Sequence, residues 1–512
     1  MLKRTDPIDL PGPGLDQDPR PHAVVIGSGF GGLAAAVRLG ARGYRVTVAE
    51  KLDAPGGRAY VFRQNGFVFD GGPTIITAPF LFEELWELAG KRLADDIELK
   101  PITPFYQIRF DDGTVFDYGG SREDMRREIG RISPGDVAGY DRFMKRSERL
   151  VEVGFTQLSH IPFTRFFDML RISPDLIRLS GYRTVYGAVA SFVKDERVRI
   201  ALSFHPLLVG GNPFSTTAIY NLIGFLEQKW GVHFAMGGTG ALVEGLVRLI
   251  EGQGGRMLYN AQVDEILVKD GRAAGVRLAD GRTLAADIVV SNADPAHVYR
   301  HLLPGHVRKR WTDKALDARR YSMSLVVWYF GTDKQYTDVP HHMLVLGPRY
   351  KGLLDDIFTH KRLAEDCSLY LHRPTATDPS LAPPGGDAFY VLSPVPHLDS
   401  GTDWDVETER YRRLIEQRLE QTVLPDLSKH VVASHIITPR YFEQTLLSHK
   451  GAAFAMEPQL IQSAWFRPHN VSEEVRGLYL VGAGTHPGAG LPGVLSSAKV
   501  LDKVVPDVRT RA

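Results

Sequence analysis

The stretch Ala23-Val24-Val25-Ile26-Gly27-Ser28-Gly29-Phe30-Gly31-Gly32 decides the fold of this 512-residue chain. Its apolar residues end at Gly27, as in a fully buried strand of a parallel sheet. The glycines satisfy the pattern G-x-G-x-x-G, and an alanine-rich run without proline predicts a helix over residues 30–42. Residues 45–49 form a second apolar run. The segment therefore predicts a β-α-β unit of about 30 residues.

The acidic residue Glu50 closes this unit, at the end of the second predicted strand. A glycine turn lets a pyrophosphate approach the free N–H groups of the helix, and a carboxylate at this position can accept both hydroxyls of an adenosine ribose. The pattern indicates dinucleotide binding. The cofactor-binding residues predicted in this part of the chain are Gly27, Ser28, Gly29, Gly32, Glu50 and Lys51.

The segment after Glu50 favours FAD over a nicotinamide cofactor. It contains Gly56-Gly57-Arg58, which a nicotinamide dehydrogenase does not need at this point. A long, extended FAD can use glycines for a close approach of the backbone and an arginine against phosphate charge. The loop Asp70-Gly71-Gly72-Pro73-Thr74 offers a second place of close approach.

Near the C-terminus, a predicted strand over residues 478–481 runs into a second glycine loop, which extends from Gly482 to Gly493. A helix is predicted over residues 493–504, and Pro492 suits its first turn because a missing N–H costs nothing there. The positive end of that helix would stabilise the negative charge that a reduced flavin carries near N1 and O2.

The middle of the chain predicts further parts of the same layered domain. We expect a helix over residues 240–251 and strands over 256–259, 263–268, 273–278 and 283–289, separated by Asp-Gly turns. The long regions 102–234 and 307–464 carry aromatic residues and prolines in no repeating pattern. Two interleaved domains are therefore expected, each built from separated segments.

The composition excludes several classes of protein. Hydrophobic residues make up 43% and charged residues 24%, which is typical of a globular chain rather than a disordered, collagenous or coiled-coil one. Lys plus Arg is 61 and Asp plus Glu is 60, so the charge gives no reason to expect nucleic-acid binding. No run of about 18 apolar residues predicts a transmembrane helix. The lone Cys367 and the lack of a secretory signal favour a reducing, cytoplasmic setting.

Taken together, these motifs resemble the flavin amine oxidase and carotenoid desaturase superfamily, and more narrowly the bacterial-type phytoene desaturases. The narrower resemblance rests on residues 203–214, which contain Phe204-His205-Pro206, on residues 462–470, which contain Trp465-Phe466-Arg467-Pro468, and on the closing glycine loop. It runs from about His22 to Lys503.

The resemblance implies an α/β fold, in which a Rossmann-type FAD-binding domain of the GDI-like or amine oxidase-like kind is interleaved with a mixed-sheet substrate domain and a helical membrane-facing subdomain. We assign residues 1–20 to a flexible leader and residues 21–100, 236–306 and 465–512 to the FAD-binding domain. The substrate domain takes 101–160, 195–235 and 307–464, and the helical membrane-facing segment takes 161–194.

The resemblance further implies FAD bound without a covalent link. By position, it carries the cofactor role onto the glycines and Glu50 of the first motif and onto Gly57 and Arg58. It implies that Val263 holds the adenine through its backbone and that the loop from Gly482 to Val494 faces the isoalloxazine. The predicted residues of that loop are Gly484, Gly493 and Val494.

The substrate implied by the resemblance is phytoene, a C40 polyene, dehydrogenated stepwise through partly desaturated carotenes to neurosporene or lycopene. The alternatives are a carotenoid isomerase, another carotenoid or C30 dehydrogenase and, more remotely, a prenyl-lipid carrier like the Rab GDP-dissociation inhibitors. The sequence identifies no catalytic residue, although His205 and Arg171 are polar candidates for a helping role, and it contains no metal-binding motif.

A hydrocarbon substrate implies contact with a lipid bilayer, and we expect a peripheral protein on the cytoplasmic side of the cell membrane, with quinone or oxygen as the electron acceptor. The segment 161–194 interleaves aromatic and aliphatic residues with five basic ones, against two aspartates. A basic amphipathic segment of this kind can lie in the headgroup layer. The alternative is a helical cap of the substrate domain with a solvated arginine face.

Overall fold

The computed structural model describes residues 18–508, apart from the side chains of Leu170, Arg171 and Leu176. Residues 1–17 of the expected leader therefore lie outside the described residues. The centre of the fold is a parallel sheet whose strands stand in the spatial order Leu478–Leu480, Ile288–Ser291, His22–Ile26, Arg45–Ala49 and Arg256–Leu258. The expected β-α-β unit is confirmed, with its helix at Phe30–Ala41.

Both faces of this parallel sheet are buried. Successive side chains of a strand point to opposite faces, so each strand packs against two different layers. Ala23 and Val25 pack with the helices of one layer, which include Phe30–Ala41 and Thr239–Gly252. Val24 and Ile26 pack on the other side against the antiparallel strands Val263–Lys269, Arg272–Leu278 and Thr283–Ala285.

A second, mixed sheet of seven strands lies beside this unit. Its spatial order is Val431–Ile437, Ser324–Thr332, Asp387–Val395, Leu369–His372, His342–Val345, Tyr106–Arg109 and Val115–Tyr118. All of its neighbours are antiparallel except His342–Val345 and Tyr106–Arg109. Two small antiparallel pairs complete the sheets: the hairpin Val61–Gln64 with Phe67–Asp70, and Leu99–Pro101 with the distant strand His233–Ala235.

The helices of the described residues surround these sheets. Their bounds are Phe30–Ala41, Phe80–Leu88, Leu93–Asp96, Arg122–Ile132, Val137–Leu150, Phe166–Arg178, Val185–Val189, Glu196–Ser203, Leu222–Trp230, Thr239–Gly252, Pro295–His297, Asp313–Asp317, Tyr350–Asp355, Trp404–Thr422, Leu427–His430, Pro439–Gln444, Leu491–Lys499 and Leu501–Val504. Within residues 18–508 no helix combines the length and the apolarity that crossing a bilayer requires.

Two sequence expectations need correction. The strand expected over 283–289 is two strands, because the chain leaves the antiparallel sheet after Ala285 and enters the parallel sheet at Ile288. Between them, the Asp287 carboxylate accepts a hydrogen bond from the backbone N–H of His22 at 2.7 Å. The single helix expected over 493–504 is two helices, Leu491–Lys499 and Leu501–Val504, and Pro492 lies in the first turn of the former as expected.

Candidate functional site

The first glycine loop forms a cradle in which Gly27, Gly29 and Gly31 present bare backbone, and the side chain of Asn292 lies against these glycines. Gly27 has a φ of +86°, in the left-handed region that glycine tolerates best. A Cβ on Gly32 would overlap the carbonyl oxygen of Gly27, so the helix can start this close to the strand only with glycine there. The N-cap residue Gly29 provides no side-chain cap, which leaves the first N–H groups of the helix for an anionic ligand.

Glu50 stands beside this cradle and is fixed by its neighbours. Its Oε2 accepts hydrogen bonds from the Ser28 N–H at 2.8 Å and the Ser28 hydroxyl at 2.6 Å, and its Oε1 accepts from the Leu52 N–H at 2.9 Å. The side chain is buried but lines a large cavity, as does Val263 at the start of its strand. The Lys51 ammonium points to the backbone and donates to the carbonyl of Gln444 at 2.7 Å.

Arg58 forms the next part of the wall. Its Nε donates to the carbonyl of Ala453 at 2.7 Å and its Nη2 to the Ser448 hydroxyl at 2.9 Å. Burial lowers the pKa of Arg58, an effect that the nearby Asp294 partly opposes. Burial also raises the pKa of Asp294, whose Oδ2 has no hydrogen-bond partner. Gly57, with a φ of +58°, brings the backbone of this segment against Gly29.

The loop that begins at Asp70 is tied to the glycine segment 237–240. The Asp70 carboxylate accepts hydrogen bonds from the N–H groups of Thr239 at 3.0 Å and Gly240 at 3.3 Å, where it caps the helix Thr239–Gly252. Burial raises the pKa of Asp70 to about 6. Thr74 at the end of the loop lies 2.6 Å from the hydroxyl of Tyr390, and both line the cavity.

The C-terminal glycine loop closes the cradle from the other side. A Cβ on Gly31 would lie 3.0 Å from the Cα of Gly482, so the two glycine loops are in direct contact. The helix Leu491–Lys499 begins after Gly490, again without a side-chain cap, and its first turn faces the cavity. Two uncapped helix N-termini thus open into one cavity. This arrangement suits a ligand with a pyrophosphate at one end and a reducible ring at the other.

The structure brings most of the predicted residues together. Ten of the twelve line the cavity, namely Gly27, Ser28, Gly29, Glu50, Lys51, Gly57, Arg58, Val263, Gly493 and Val494. Gly32 and Gly484 stand behind the wall. Gly32 allows the helix to approach the strand, and a Cβ on Gly484 would overlap the ring of Pro295. As contacts to the cofactor, all twelve remain predictions.

These features fit FAD. The glycines leave room for a backbone-bound pyrophosphate. Glu50 keeps one acceptor site for a ribose hydroxyl, because each carboxylate oxygen can take two donors and Oε1 has only one. The unpartnered Oδ2 of Asp294 is an acceptor that a polyol chain can satisfy. When bound, FAD supplies a hydride acceptor; the protein residues hold and orient it.

Beyond the cradle, the cavity continues between the parallel sheet and the mixed sheet as an apolar chamber. Leucines, isoleucines, valines and aromatic residues from several elements form its walls, including Phe163, Ile172, Leu207, Leu208, Met323, Leu325, Val327, Leu344, Leu354, Leu392, Ile437 and Phe442. One continuous space therefore joins a dinucleotide cradle to a chamber suited to a long hydrocarbon.

Sequence reasoning missed a buried polar triad at the wall of this chamber. Glu227, with none of its surface exposed, accepts a hydrogen bond from the Tyr106 hydroxyl at 2.7 Å, and its other oxygen lies 3.0 Å from Nε2 of His205. The proximity of Glu227 raises the pKa of Tyr106 further, beyond the effect of burial itself. His205 was a candidate in the sequence, whereas the side chain of Arg171 lies outside the described residues. No local signal in the sequence connects Tyr106 with Glu227.

Comparison with known proteins places the chain in a family. Residues 30–500 match the model of the family described as flavin containing amine oxidoreductase. A phytoene desaturase (neurosporene-forming) of Cereibacter sphaeroides is 51% identical over 97% of this chain and 96% of its own length. A phytoene desaturase (lycopene-forming) of a Paracoccus species is 49% identical over 94% of this chain and 97% of its own length. The chain belongs to the bacterial-type phytoene desaturases within the flavin-containing amine oxidoreductase family.

Solved structures agree on the fold of this desaturase family member. A variant of putrescine oxidase covers 96% of the chain and matches with a TM-score of 0.66 at 12% identity, over 99% of its own length. Rab GDI from Plasmodium falciparum matches with a TM-score of 0.55 at 11% identity, covering 96% of this chain and 99% of its own. The expected amine oxidase-like and GDI-like α/β fold is confirmed, and the desaturase is an FAD-dependent oxidoreductase.

Proposed function

We propose that this protein dehydrogenates phytoene and introduces successive double bonds to give neurosporene or lycopene in carotenoid biosynthesis. The observation that carries the proposal is the continuous cavity that runs from the Glu50 cradle to the apolar chamber. Relatives about half identical over nearly the whole chain, named as neurosporene-forming and lycopene-forming phytoene desaturases, support the same substrate.

The chemistry needs few polar groups. Dehydrogenating a CH2–CH2 unit beside a conjugated triene sends a hydride to FAD and releases a proton from the neighbouring carbon. The positive charge that develops is spread over the polyene, so a dry, apolar wall that holds the chain in place supplies much of what is required. Leu207, Met323 and Ile437, on different elements of the chamber, provide such a wall.

Substrate entry points to the segment 161–194, which contains the helices Phe166–Arg178 and Val185–Val189. Phe163, Ile172 and Leu179 of this segment line the cavity on its inner side. We infer that the segment stands at the mouth through which a hydrocarbon passes from the bilayer into the chamber.

The outer side of the same segment supports docking on a bilayer. We define the docking surface as the exposed residues Phe166, Phe167, Ile177 and Tyr182; Phe167 is 76% and Ile177 68% exposed. The exposed Arg165 and Arg178 flank these apolar side chains, in the places where lipid phosphates would lie. Trp465 extends the surface, since its ring packs against that of Phe166 at 5.3 Å.

This docking surface is the basis for the location that we propose, namely peripheral attachment at the cytoplasmic side of the cell membrane. The electron acceptor that we propose is quinone in the bilayer or molecular oxygen. Both acceptors can reach the protein at the membrane, so the choice between them is made by experiment.

The test is incubation of the FAD-loaded protein with phytoene in liposomes under anaerobic conditions, with and without a quinone. We expect a visible polyene spectrum, which also distinguishes neurosporene from lycopene. A product that forms only with quinone identifies the acceptor, whereas a product that needs air identifies oxygen. Absence of any polyene with FAD bound and with either acceptor supplied would overturn the proposal.

A further inference from the structure

Three histidines meet in the interior of the mixed sheet, away from the FAD cradle. His342 and His372 are paired residues on the neighbouring strands His342–Val345 and Leu369–His372, and His341 directly precedes the first of these strands. One ring nitrogen of each lies within 4.8 Å of the other two. The exposed fractions are 5% for His341, 1% for His342 and 0% for His372.

The Nε2 atoms at the centre of the cluster have no hydrogen-bond partner outside it. Nδ1 of His341 lies 2.6 Å from the hydroxyl of Thr377, and Nδ1 of His342 lies 2.8 Å from the hydroxyl of Tyr370. Nε2 of His341 and Nε2 of His372 are only 3.1 Å apart. Nε2 of His342 is buried and has no partner. Hydroxyls thus orient two of the rings by their outer nitrogens.

This pattern is that of metal-binding histidines, whose second nitrogen is usually held by a hydrogen bond that fixes the tautomer and the ring orientation. Two nitrogens bound at about 2.0–2.1 Å to a tetrahedral ion stand about 3.4 Å apart, close to the 3.1 Å between His341 and His372. We propose that His341, His342 and His372 bind one divalent transition-metal ion, with zinc the best match, through their Nε2 atoms.

The chemistry of the ligands narrows the choice of metal. Three imidazoles without a carboxylate suit zinc, copper or nickel rather than magnesium or calcium, which prefer oxygen ligands. The nearby Arg373 is already paired with Asp387 at 2.9 Å, which reduces its repulsion of a cation.

The site has a structural role in this proposal. The ion joins two strands that carry chamber-lining residues, Leu344 on one and Tyr370 on the other. The ring of His372 also packs against Tyr390, another wall residue, at 4.6 Å. Water occupies the fourth coordination position of the ion. His341 is the least buried ligand and marks the side from which the ion enters.

The experiment uses full-length, FAD-loaded protein from which any histidine tag has been removed. The protein is incubated with Zn²⁺, freed of excess metal by gel filtration and analysed for zinc by mass spectrometry; Co²⁺ in a parallel sample reports tetrahedral geometry by its visible absorption. We expect about one equivalent per chain and a higher melting temperature with metal than after chelation.

Two variants test the ligands and one serves as a control. His342→Gln removes a ligand and should abolish stoichiometric binding. Tyr370→Phe keeps all three ligands but removes the hydroxyl that orients His342, and it should weaken zinc binding about 10- to 100-fold. His435→Gln, on the strand Val431–Ile437, is outside the cluster and should bind zinc like the wild type.

FAD content and thermal unfolding report folding independently of metal content. If His342→Gln fails to fold, Tyr370→Phe decides the question. Wild-type protein that retains no stoichiometric zinc or cobalt would overturn the proposal and leave a hydrogen-bonded histidine cluster. Zinc binding by Tyr370→Phe at wild-type affinity, or equal loss in His435→Gln, would overturn it as well.

Discussion

The predicted contact between Glu50 and the adenosine ribose of FAD can be tested quantitatively with the variant Glu50→Gln. The carboxylate now accepts three hydrogen bonds, two from Ser28 and one from the Leu52 N–H. An amide has one acceptor oxygen. If that oxygen keeps facing Ser28, the new NH2 group faces the N–H of Leu52, and two donors meet.

The expected loss of FAD affinity follows from the loss of the negative charge of Glu50. Hydrogen bonds to a charged acceptor contribute about 1.5–3 kcal/mol, against about 0.5–1.5 kcal/mol for neutral pairs. Three of the four acceptor sites of the carboxylate are taken, so one ribose hydroxyl on Oε1 loses about 1–1.5 kcal/mol, which is a rise in the Kd for FAD of about 5- to 13-fold. FMN has no adenosine, so its affinity should change by less than about threefold.

The assay is titration of apoprotein with FAD and, separately, with FMN, followed by quenching of flavin fluorescence. Glu244→Gln is the matched control, since it makes the same exchange at an exposed glutamate of the helix Thr239–Gly252, outside the cavity wall. We expect its FAD affinity to stay within about threefold of the wild type. If Glu50→Gln binds FAD as tightly as the wild type, or loses FMN equally, Glu50 does not hold the ribose.

Three further predictions test the cradle, the docking surface and the buried triad. Gly31→Val should give protein without flavin absorbance, because the new side chain would collide with the backbone of Gly482 in the C-terminal glycine loop. Gly135→Val is the control and should keep its flavin absorbance, because a Cβ there meets open space. Replacing Phe167 and Ile177 by serine should reduce co-sedimentation with anionic liposomes at least about tenfold at unchanged FAD content, since each buries apolar surface worth about 1.5–3 kcal/mol. Glu227→Leu should lower the free energy of unfolding by about 2–5 kcal/mol in denaturant titrations, because it leaves two buried polar partners unpaired; an unchanged midpoint would contradict this.

The sequence predicted the dinucleotide unit well because its signals are local. The strand Arg45–Ala49 has the expected bounds, and the helix after Gly29 differs from expectation by one residue at its end. All of its signals lie within 30 residues of one another: the apolar strand, the turn glycines and the acidic residue at the end of the second strand. Their recognition requires no tertiary information.

The remaining features depend on contacts between distant segments. The strand expected over 283–289 changes sheets at Ala286 and Asp287, which apolar content alone does not reveal. Glu227 meets Tyr106 only because the helix Leu222–Trp230 lies over the strand Tyr106–Arg109. Likewise, His372 meets His341 and His342 only because the two strands pair, and no metal-binding motif has the spacing of these three histidines in the sequence.

The contact between Gly31 and Gly482 has a consequence for how the enzyme is made. The strand Leu478–Leu480 completes the cradle, yet it is translated more than 400 residues after the first glycine loop. At about 5–20 residues per second, the N-terminal unit waits about 20–90 s on the ribosome for its last neighbour. If both glycine loops hold FAD as we predict, flavin capture is a terminal event of biosynthesis, and a prematurely terminated chain should leave the ribosome colourless.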